Sequence, residues 1–457
     1  MNQVLVKRGR WSWRGGRRGF ATLLVFGVIV VAAVIIGMIQ STAFSQAAAG
    51  RESLARVRAY WAARAGLEET IAKLEAATED PNQTNAFQAM DDMVQVATGT
   101  VAGASWRIAS TDGKREVLGP TDAHSKININ SPNSEVLLNI EPFMSESAVD
   151  SIKDWIDSDD DLNLQGAEVG YYQTLEFGYD PRNAPMCSIA ELELVADIEQ
   201  TDVRGEDWNL NGVLDPNEDD GDLSWPPDNA DGVLDQAWSG ILTASSVDGG
   251  LAASGEKPLD LKTAAEGDLT SRIGVSSDQA KVIVDYVASS DTAALGDFIR
   301  RDLQQLRTQT QQAQGQQQGG AQTRVDPLTT DQLKLLIDEC VMGAPEAGVV
   351  YPGKLNVNTC AAETIEYLPG MTPELADAII AERAGKSDGF TSIVDLLEVP
   401  GMTRRQLAQL NDLLCVRSNV FTVTSRGRDD KTGLEVEIQA ELNRTSLPVT
   451  LTGVLVR

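Results

Sequence analysis

An uncharged apolar stretch from Phe20 to Ile39 follows a basic leader that ends in Arg17 and Arg18. About 20 such residues span a bilayer core as a helix. A secretory signal peptide has a shorter apolar region and a small-residue cleavage site downstream, and neither is evident here. From Gln40 to about Leu74 the chain stays rich in Ala, Arg, Glu and Leu, with Leu54, Val57, Trp61 and Ala65 at mixed three and four spacing. The pattern predicts one long helix, half inside a membrane and half outside. Thr78 to Thr84 carries Asp, Pro and Asn and should end it. Thr100 to Ser110 and Lys114 to Leu118 then alternate in the manner of short strands.

At Lys126 the texture changes. KININSPNSEVLLNIEPFMSESAVDSIKDWID predicts a short extended lead-in, a cap at Ser131 with Pro132 just inside, and two helices, the second ending near Trp155. The cadence returns at Pro258 (PLDLKTAAEGDLTSRIGVSSDQAKVIVDYV) and at Lys354 (KLNVNTCAAETIEYLPGMTPELADAIIAER). These are three degenerate repeats, enough to bury each other's apolar faces. Residues 206–238 are acidic and Gly/Asn-rich, and residues 304–322 form a Gln/Gly tract that reads as a flexible surface insertion.

After Cys415 strands resume in NVFTVTSRGR, LEVEIQAEL and VTLTGVLVR. Strands on either side of the repeats are too few to stand alone. One antiparallel sheet built from both groups, packed on the long helix, resolves this. The expected fold class is therefore α+β, with an N-terminal transmembrane helix and a sheet whose strands flank a large inserted α-helical domain. The boundaries read as leader 1–19, membrane helix 20–39, helix and first strands 40–124, inserted domain 125–417, and C-terminal strands 418–457.

The chain has 457 residues and a net charge of −29, yet Lys7, Arg8, Arg10, Arg14, Arg17 and Arg18 all precede the apolar stretch. Positive residues stay cytoplasmic, so the chain after Ile39 should face the periplasm or exterior as the body of a single-pass protein. An acidic body argues against a nucleic-acid surface and suits divalent cations. Four Cys are no disulfide framework; Cys340 and Cys360, close in sequence, are the favoured pair if one bridge forms, and Cys187 and Cys415 read as buried small hydrophobes. His124 is the only His, so no His-based triad or zinc cluster can be built, and no enzyme constellation emerges.

The sharpest local pattern is DWNLNGVLDPNE. A calcium loop of the EF-hand type wants oxygen ligands at its first, third, fifth, seventh, ninth and twelfth positions and Gly at the sixth. Asp207, Asn209, Asn211, the Val213 carbonyl, Asp215 and Glu218 fill the ligand places, and Gly212 the turn. Clear flanking helices are missing, so an isolated loop is expected. Asn229 to Asp235 repeats the core of the pattern but has Pro227 and Trp238 at the first and last places, and is either a weaker site or an echo of the turn. Asp157, Asp159, Asp160 and Asp161 could hold another cation or form a solvated turn.

The third repeat reads as a pair of helix-hairpin-helix motifs, with hairpins at Pro369-Gly370 and Pro400-Gly401. DNA-binding hairpins use backbone N–H groups and nearby basic residues to hold a phosphate. Thr372 and Thr403 stand where a second Gly would be, and Arg404 and Arg405 are the only basic pair. A structural or protein-binding role is therefore favoured over DNA contact.

The Gly19-Phe20 junction before an apolar helix resembles the processing site of type IV pilins and pseudopilins. Leu24 stands at the fifth mature position, where most of these families carry Glu. Together with KININSPNSEVL, DWIDSDDD, GAEVGYY, NAPMCSIAELELV and the segment from Lys354 to Leu410, this resembles the general secretion pathway protein K family, a minor pseudopilin of type II secretion. The resemblance implies a pilin-like sheet, cleavage after Gly19 and methylation by the prepilin peptidase, bound calcium, and a place at the pseudopilus tip with other minor pseudopilins. It implies a structural role in protein secretion across the outer membrane, not catalysis. The missing Glu fits a tip position, because that Glu is thought to neutralise the N-terminus of a subunit above. The alternative reading is a membrane-anchored DNA receptor of the competence type, using Arg404 and Arg405.

Overall fold

The computed structural model describes residues 18–79, 85–111, 115–225, 227–313, 324–343 and 349–457. The leader as far as residue 17, most of the segment expected to break the first helix, and residues 314–323 of the Gln/Gly tract lie outside them.

Helix α1 runs without interruption from Arg18 to Glu79, 62 residues. No Pro interrupts it, and Ala, Glu and Arg, all good helix formers, are the commonest residues of its second half, so nothing in the sequence breaks the hydrogen-bond ladder. Its first half touches nothing: Phe20, Leu24, Ile29 and Ile36 are all exposed. In its second half the side facing inwards is made of small residues, Ala55, Ala59, Ala62, Ala63 and Gly66, followed by Leu67 and Leu74. Small side chains let the helix backbone come close to the sheet beneath it.

That sheet is antiparallel and draws on both ends of the chain. Its strands are β1 (Thr98–Val101), β2 (Ala104–Thr111), β3 (Glu116–Leu118), β4 (Thr121–Asp122), β5 (Val420–Asp429), β6 (Glu435–Asn443) and β7 (Thr450–Val456). The order is β1-β2-β5-β6-β7, with β3 beside β2 and β4 beside β5. The pairing of β2 with β5, Trp106 opposite Gly427, joins segments more than three hundred residues apart. Strict alternation on β6 sends Val436, Ile438, Ala440 and Leu442 towards α1 and leaves Glu435, Glu437, Gln439 and Glu441 on the opposite face. The same face of β5 that meets α1 carries Phe421, Val423 and Ser425, and Ser425 Oγ donates to the Ala63 carbonyl at 2.9 Å.

Between β4 and β5 lies the α-domain, whose three units share one closure. In each, a two-residue lead-in pairs in parallel with the residues that end the unit: Ile127–Asn128 with Leu242–Thr243, Leu259–Asp260 with Cys340–Val341, and Leu355–Asn356 with Leu414–Cys415. The second lead-in residue always turns the chain with its own side chain, Asn128 accepting from Asn130 N, Asp260 from Lys262 N and Asn356 from Asn358 N. In the first and third units the next Asn then crosses the unit. Asn130 binds Met186 and the Ala244 carbonyl, and Asn358 binds Phe390 and the Val416 carbonyl. Lys262 replaces that Asn in the second unit. The first unit has its own core around Ile152, Trp155, Tyr172 and Trp238, whereas the second and third share one.

Several local expectations are corrected. The first helix of the first unit is capped by Asn133, not Ser131, because Asn133 Oδ1 accepts from Glu135 N and Val136 N. The Gln-rich segment is helical from Leu303 to Ala313, since Leu303, Leu306 and Thr310 recur at helical spacing on a buried face. Cys340 and Cys360 are free thiols, buried in the second and third units, with burial pushing both up to about 12. Cys187 is exposed, not buried, and Cys415 is half-buried.

Candidate functional site

The loop from Asp207 to Glu218 follows a short helix, Gln200–Arg204, and folds around the two carboxylates at its ends. Asp207 Oδ1 accepts from Asn211 N at 3.0 Å and Oδ2 from Gly212 N at 2.9 Å. Glu218 Oε1 accepts from Trp208 N and Oε2 from Asp215 N, both at 3.0 Å. Gly212 has φ +68°, the left-handed conformation that the sixth position of such a loop requires. Asn209 and Asn211 each donate an amide to Asp215 Oδ2, at 2.8 and 3.0 Å. Val213 takes its N–H to Asn211 Oδ1 at 2.7 Å. Asp207, Asn211 and Glu218 are buried. Burial pushes the Asp207 carboxyl up, and it raises Glu218 to about 7. Two carboxylates held out of water are costly as anions and would gain from a cation.

The echo at Asn229 to Asp235 makes the same turn, with Asp231 N on Asn229 Oδ1 and Val233 N on Asp231 Oδ1. Its Gly232 N donates to Asp219 Oδ1 at 2.9 Å. Asn229 and Asp231 are exposed, unlike their counterparts in the first loop.

A second acidic group forms where the helix Glu146–Ile156 ends. Asp159, Asp160 and Asp161 are exposed there, while the buried carboxylates are Asp154 and Glu168. Asp154 Oδ1 accepts from Asn163 N and Nδ2, but its Oδ2 has no partner. Both oxygens of Glu168, Asp157 Oδ1 and Asn183 Oδ1 are likewise buried without a partner. Burial first, then the charges of Asp154, Asp157, Asp160 and Asp159, push Glu168 up to about 7. Asp157 is raised by burial and by Asp159 and Asp154. Buried oxygens of this kind are rare unless something outside the protein answers them. Sequence reading fixed on Asp157 to Asp161 and missed Asp154 and Glu168. Its missed signal was a carboxylate in a helix otherwise buried through Val149, Ile152 and Trp155. Among the described residues, no three His, Cys, Asp or Glu side chains already converge as a finished metal cage.

The two hairpins lie together. Gly370 and Gly401 both have positive φ, +70° and +96°, and Gln406 Nε2 donates to the Gly370 carbonyl at 3.2 Å. Thr372 and Thr403, in the places of the second Gly, cap the helices that follow by accepting from Leu375 N and Gln406 N. Pro369 and Pro400 precede the two glycines in these turns. Arg404 donates to the Ile299 carbonyl at 3.2 Å, so one of the two basic residues is bound to the chain itself. Arg405 is exposed.

At the membrane end, Gly19 and Phe20 lie in the first turn of α1, with Leu24 one turn further on. Beyond the apolar stretch, Leu54, Val57 and Trp61 make an exposed stripe on the side of α1 opposite the buried alanines.

Residues 136–205 match the family model of type II secretion system (T2SS), protein K, and residues 350–415 match that of the helix-hairpin-helix motif. Among solved structures, the chain is similar to one in the GspK-GspI-GspJ complex from the enterotoxigenic Escherichia coli type 2 secretion system. The two share 12% identity over 89% of this chain and 99% of that chain, with a TM-score of 0.45. No curated protein compared with the chain matches it. The stretch that matches the type II secretion protein K model lies within the first unit of the α-domain, and the stretch that matches the helix-hairpin-helix model coincides with the third.

Proposed function

We propose that the chain is a minor pseudopilin at the tip of a type II secretion pseudopilus, anchored in the inner membrane by α1 with its body in the periplasm. The supporting observation is α1 itself, one rigid helix whose first half is apolar and bare and whose second half is fixed to the sheet. The bare half and the stripe at Leu54, Val57 and Trp61 suit packing against the helices of other minor pseudopilins. The bulk of the α-domain would obstruct stacking on its side, and Leu24 leaves no carboxylate for a subunit above. The role is structural, in support of protein secretion across the outer membrane. The prepilin peptidase would cut after Gly19 and methylate Phe20.

Calcium is the proposed cofactor. The residues fit it in two places: the loop with Asp207, Asn209, Asn211, the Val213 carbonyl, Asp215 and Glu218, and the group with Asp154, Asp157 and Glu168. The second place has unanswered oxygens and the first has the loop spacing. Bound there, calcium would supply positive charge to carboxylates that burial now disfavours as anions.

The test is co-purification from cells that hold the peptidase and the other minor pseudopilins. Expected are a mature chain starting at Phe20 and a complex with those subunits, lost when Leu54, Val57 and Trp61 are changed to Asp. An intact leader, or a chain isolated alone, refutes the reading. Calorimetric titration of calcium should lose one site in Glu168→Gln and another in Glu218→Gln.

A further inference from the structure

The chain enters the α-domain after Asp122 and leaves it at Ser418, and these two crossings are bound to each other. Asp122 Oδ2 accepts from Ser418 Oγ at 2.5 Å, from Thr359 Oγ1 at 2.5 Å and from Asn356 Nδ2 at 3.4 Å. Beside them Thr121 and Asp122 pair with Thr422 and Phe421. Both covalent links therefore act at a single place, where Asn419 Nδ2 also donates to the Val247 carbonyl; the third unit is tied once more, by Ala86 N on the Asp388 carbonyl at 3.0 Å, and a body held at two points can still turn about the line between them.

The acidic loop supplies a third point. Four consecutive carbonyls of its turn are taken by the sheet, three by different strands and one by the residue that follows β7. Arg457, just past β7, donates to Asn209 O at 2.5 Å, and Gln439 on β6 to Leu210 O at 3.0 Å. Thr424 on β5 donates to Asn211 O at 3.3 Å, and the Thr111 N–H on β2 to Gly212 O at 2.8 Å. Ion pairs reinforce the seam. Arg426 bridges Asp215 at 2.7 Å and Glu437 at 2.8 Å, and Asn211 Nδ2 reaches Glu437 at 3.3 Å. On its other side the loop is tied into the first unit through Gln236 on Asp207 and Glu206 N on the Asp235 carbonyl. Thr422 and Arg426 are four residues apart on β5, so the loop engages about 13 Å from the hinge along the strand.

We propose that the loop 207–218 is a clamp that fixes the angle of the α-domain on the pilin-like sheet, closing a joint that would otherwise turn about the line from Asp122 and Ser418 to the Ala86–Asp388 bond. Covering carbonyls 209–212 requires the loop to keep its turn, so clamp and turn stand or fall together. The contacts use the sheet face opposite α1, and the face that carries Thr424, Arg426, Glu437 and Gln439 is thereby occupied by the chain itself. The clamp does not depend on the calcium reading, although a loop that also binds calcium would hold its turn more firmly.

The test uses the full chain in detergent micelles with Cys187 changed to Ser and spin labels on cysteines placed at Arg405 and Glu435, both exposed. Pulsed electron resonance should give one narrow distance between the two labels. Arg426→Ala with Gln439→Ala should cost that single distance and give a broad or doubled distribution, while the α1-side amides of β5 keep their hydrogen-exchange protection. Asp207→Asn with Gly212→Val, which spoils the turn and leaves the sheet intact, should do the same. A distribution that stays narrow in both, with exchange showing the loop amides freed, overturns the clamp. Calorimetry on the same proteins separates the two readings. Loss of calcium binding with the distance kept refutes only a cation requirement, whereas loss of the distance with calcium binding kept supports the clamp on its own.

Discussion

At Gly427 the backbone of α1 lies so close to the sheet that no side chain fits between them, which makes Gly427→Ala an informative single change. A Cβ at this position would lie 1.9 Å from the Ala59 carbonyl oxygen and 2.4 Å from the Ala63 nitrogen. Ordinary contact would require helix or strand to retreat by about 1.5 Å. Both obstacles are main-chain atoms, so no side chain can rotate aside. Overpacking of a tight interface costs about 1–3 kcal/mol, and retreat also strains the bond from Ser425 Oγ to the Ala63 carbonyl, worth about 1 kcal/mol. The sum is about 3 kcal/mol. Urea unfolding of the chain in micelles, followed by circular dichroism, should show the midpoint fall by about 1 M for a slope of about 3 kcal/mol/M. Gly50→Ala is the control. Nothing lies within 4 Å of its Cβ, and Ala is the better helix former, so it should gain about 0.5–1 kcal/mol. An unchanged midpoint in Gly427→Ala would refute the close seating of α1 on β5.

Three further outcomes follow from the site and the repeats. Glu168 is held near 7 in the folded chain against an ordinary 4.5, so the folded state binds its proton more tightly than the unfolded state. Stability without calcium should then fall as pH rises from about 4.5 to about 7, and Glu168→Gln or saturating calcium should flatten that slope in urea titrations across pH. Asn358→Ala strands the Phe390 N–H and two carbonyls in the interior and should cost about 3 kcal/mol. Asn130→Ala should behave alike, whereas Lys262→Ala should stay within about 0.5 kcal/mol by the same denaturation assay. Arg404→Glu with Arg405→Glu should leave a DNA mobility shift unchanged at every salt concentration, because Arg404 already binds the Ile299 carbonyl; a salt-dependent shift lost in that variant would restore the DNA reading.

The sequence by itself determined the elements that depend on local pattern. Uncharged residues from Phe20 onward, alternation after Cys415 and the recurring lead-in, cap and Ala-rich helix were all readable, because side-chain periodicity is a property of neighbours in the chain. So was the turn at Gly212, since a positive φ needs Gly there. Capping was read two residues early, at Ser131, because Ser and Asn compete for the same donors and only the path of the backbone chooses between them. Helical spacing at Leu303, Leu306 and Thr310 was hidden by a Gln-rich composition. Tertiary structure alone decided the rest. Which carboxylates lose water depends on what covers them, so Asp154 and Glu168 emerged from burial while the conspicuous run at Asp159 to Asp161 stayed solvated. Cys340 and Cys360 are near in sequence but belong to different units. The seating of α1 on Gly427, and of carbonyls 209–212 on β2, β5, β6 and Arg457, joins residues more than a hundred positions apart in the chain. No local pattern encodes such contacts; they exist only once the sheet has brought both ends together.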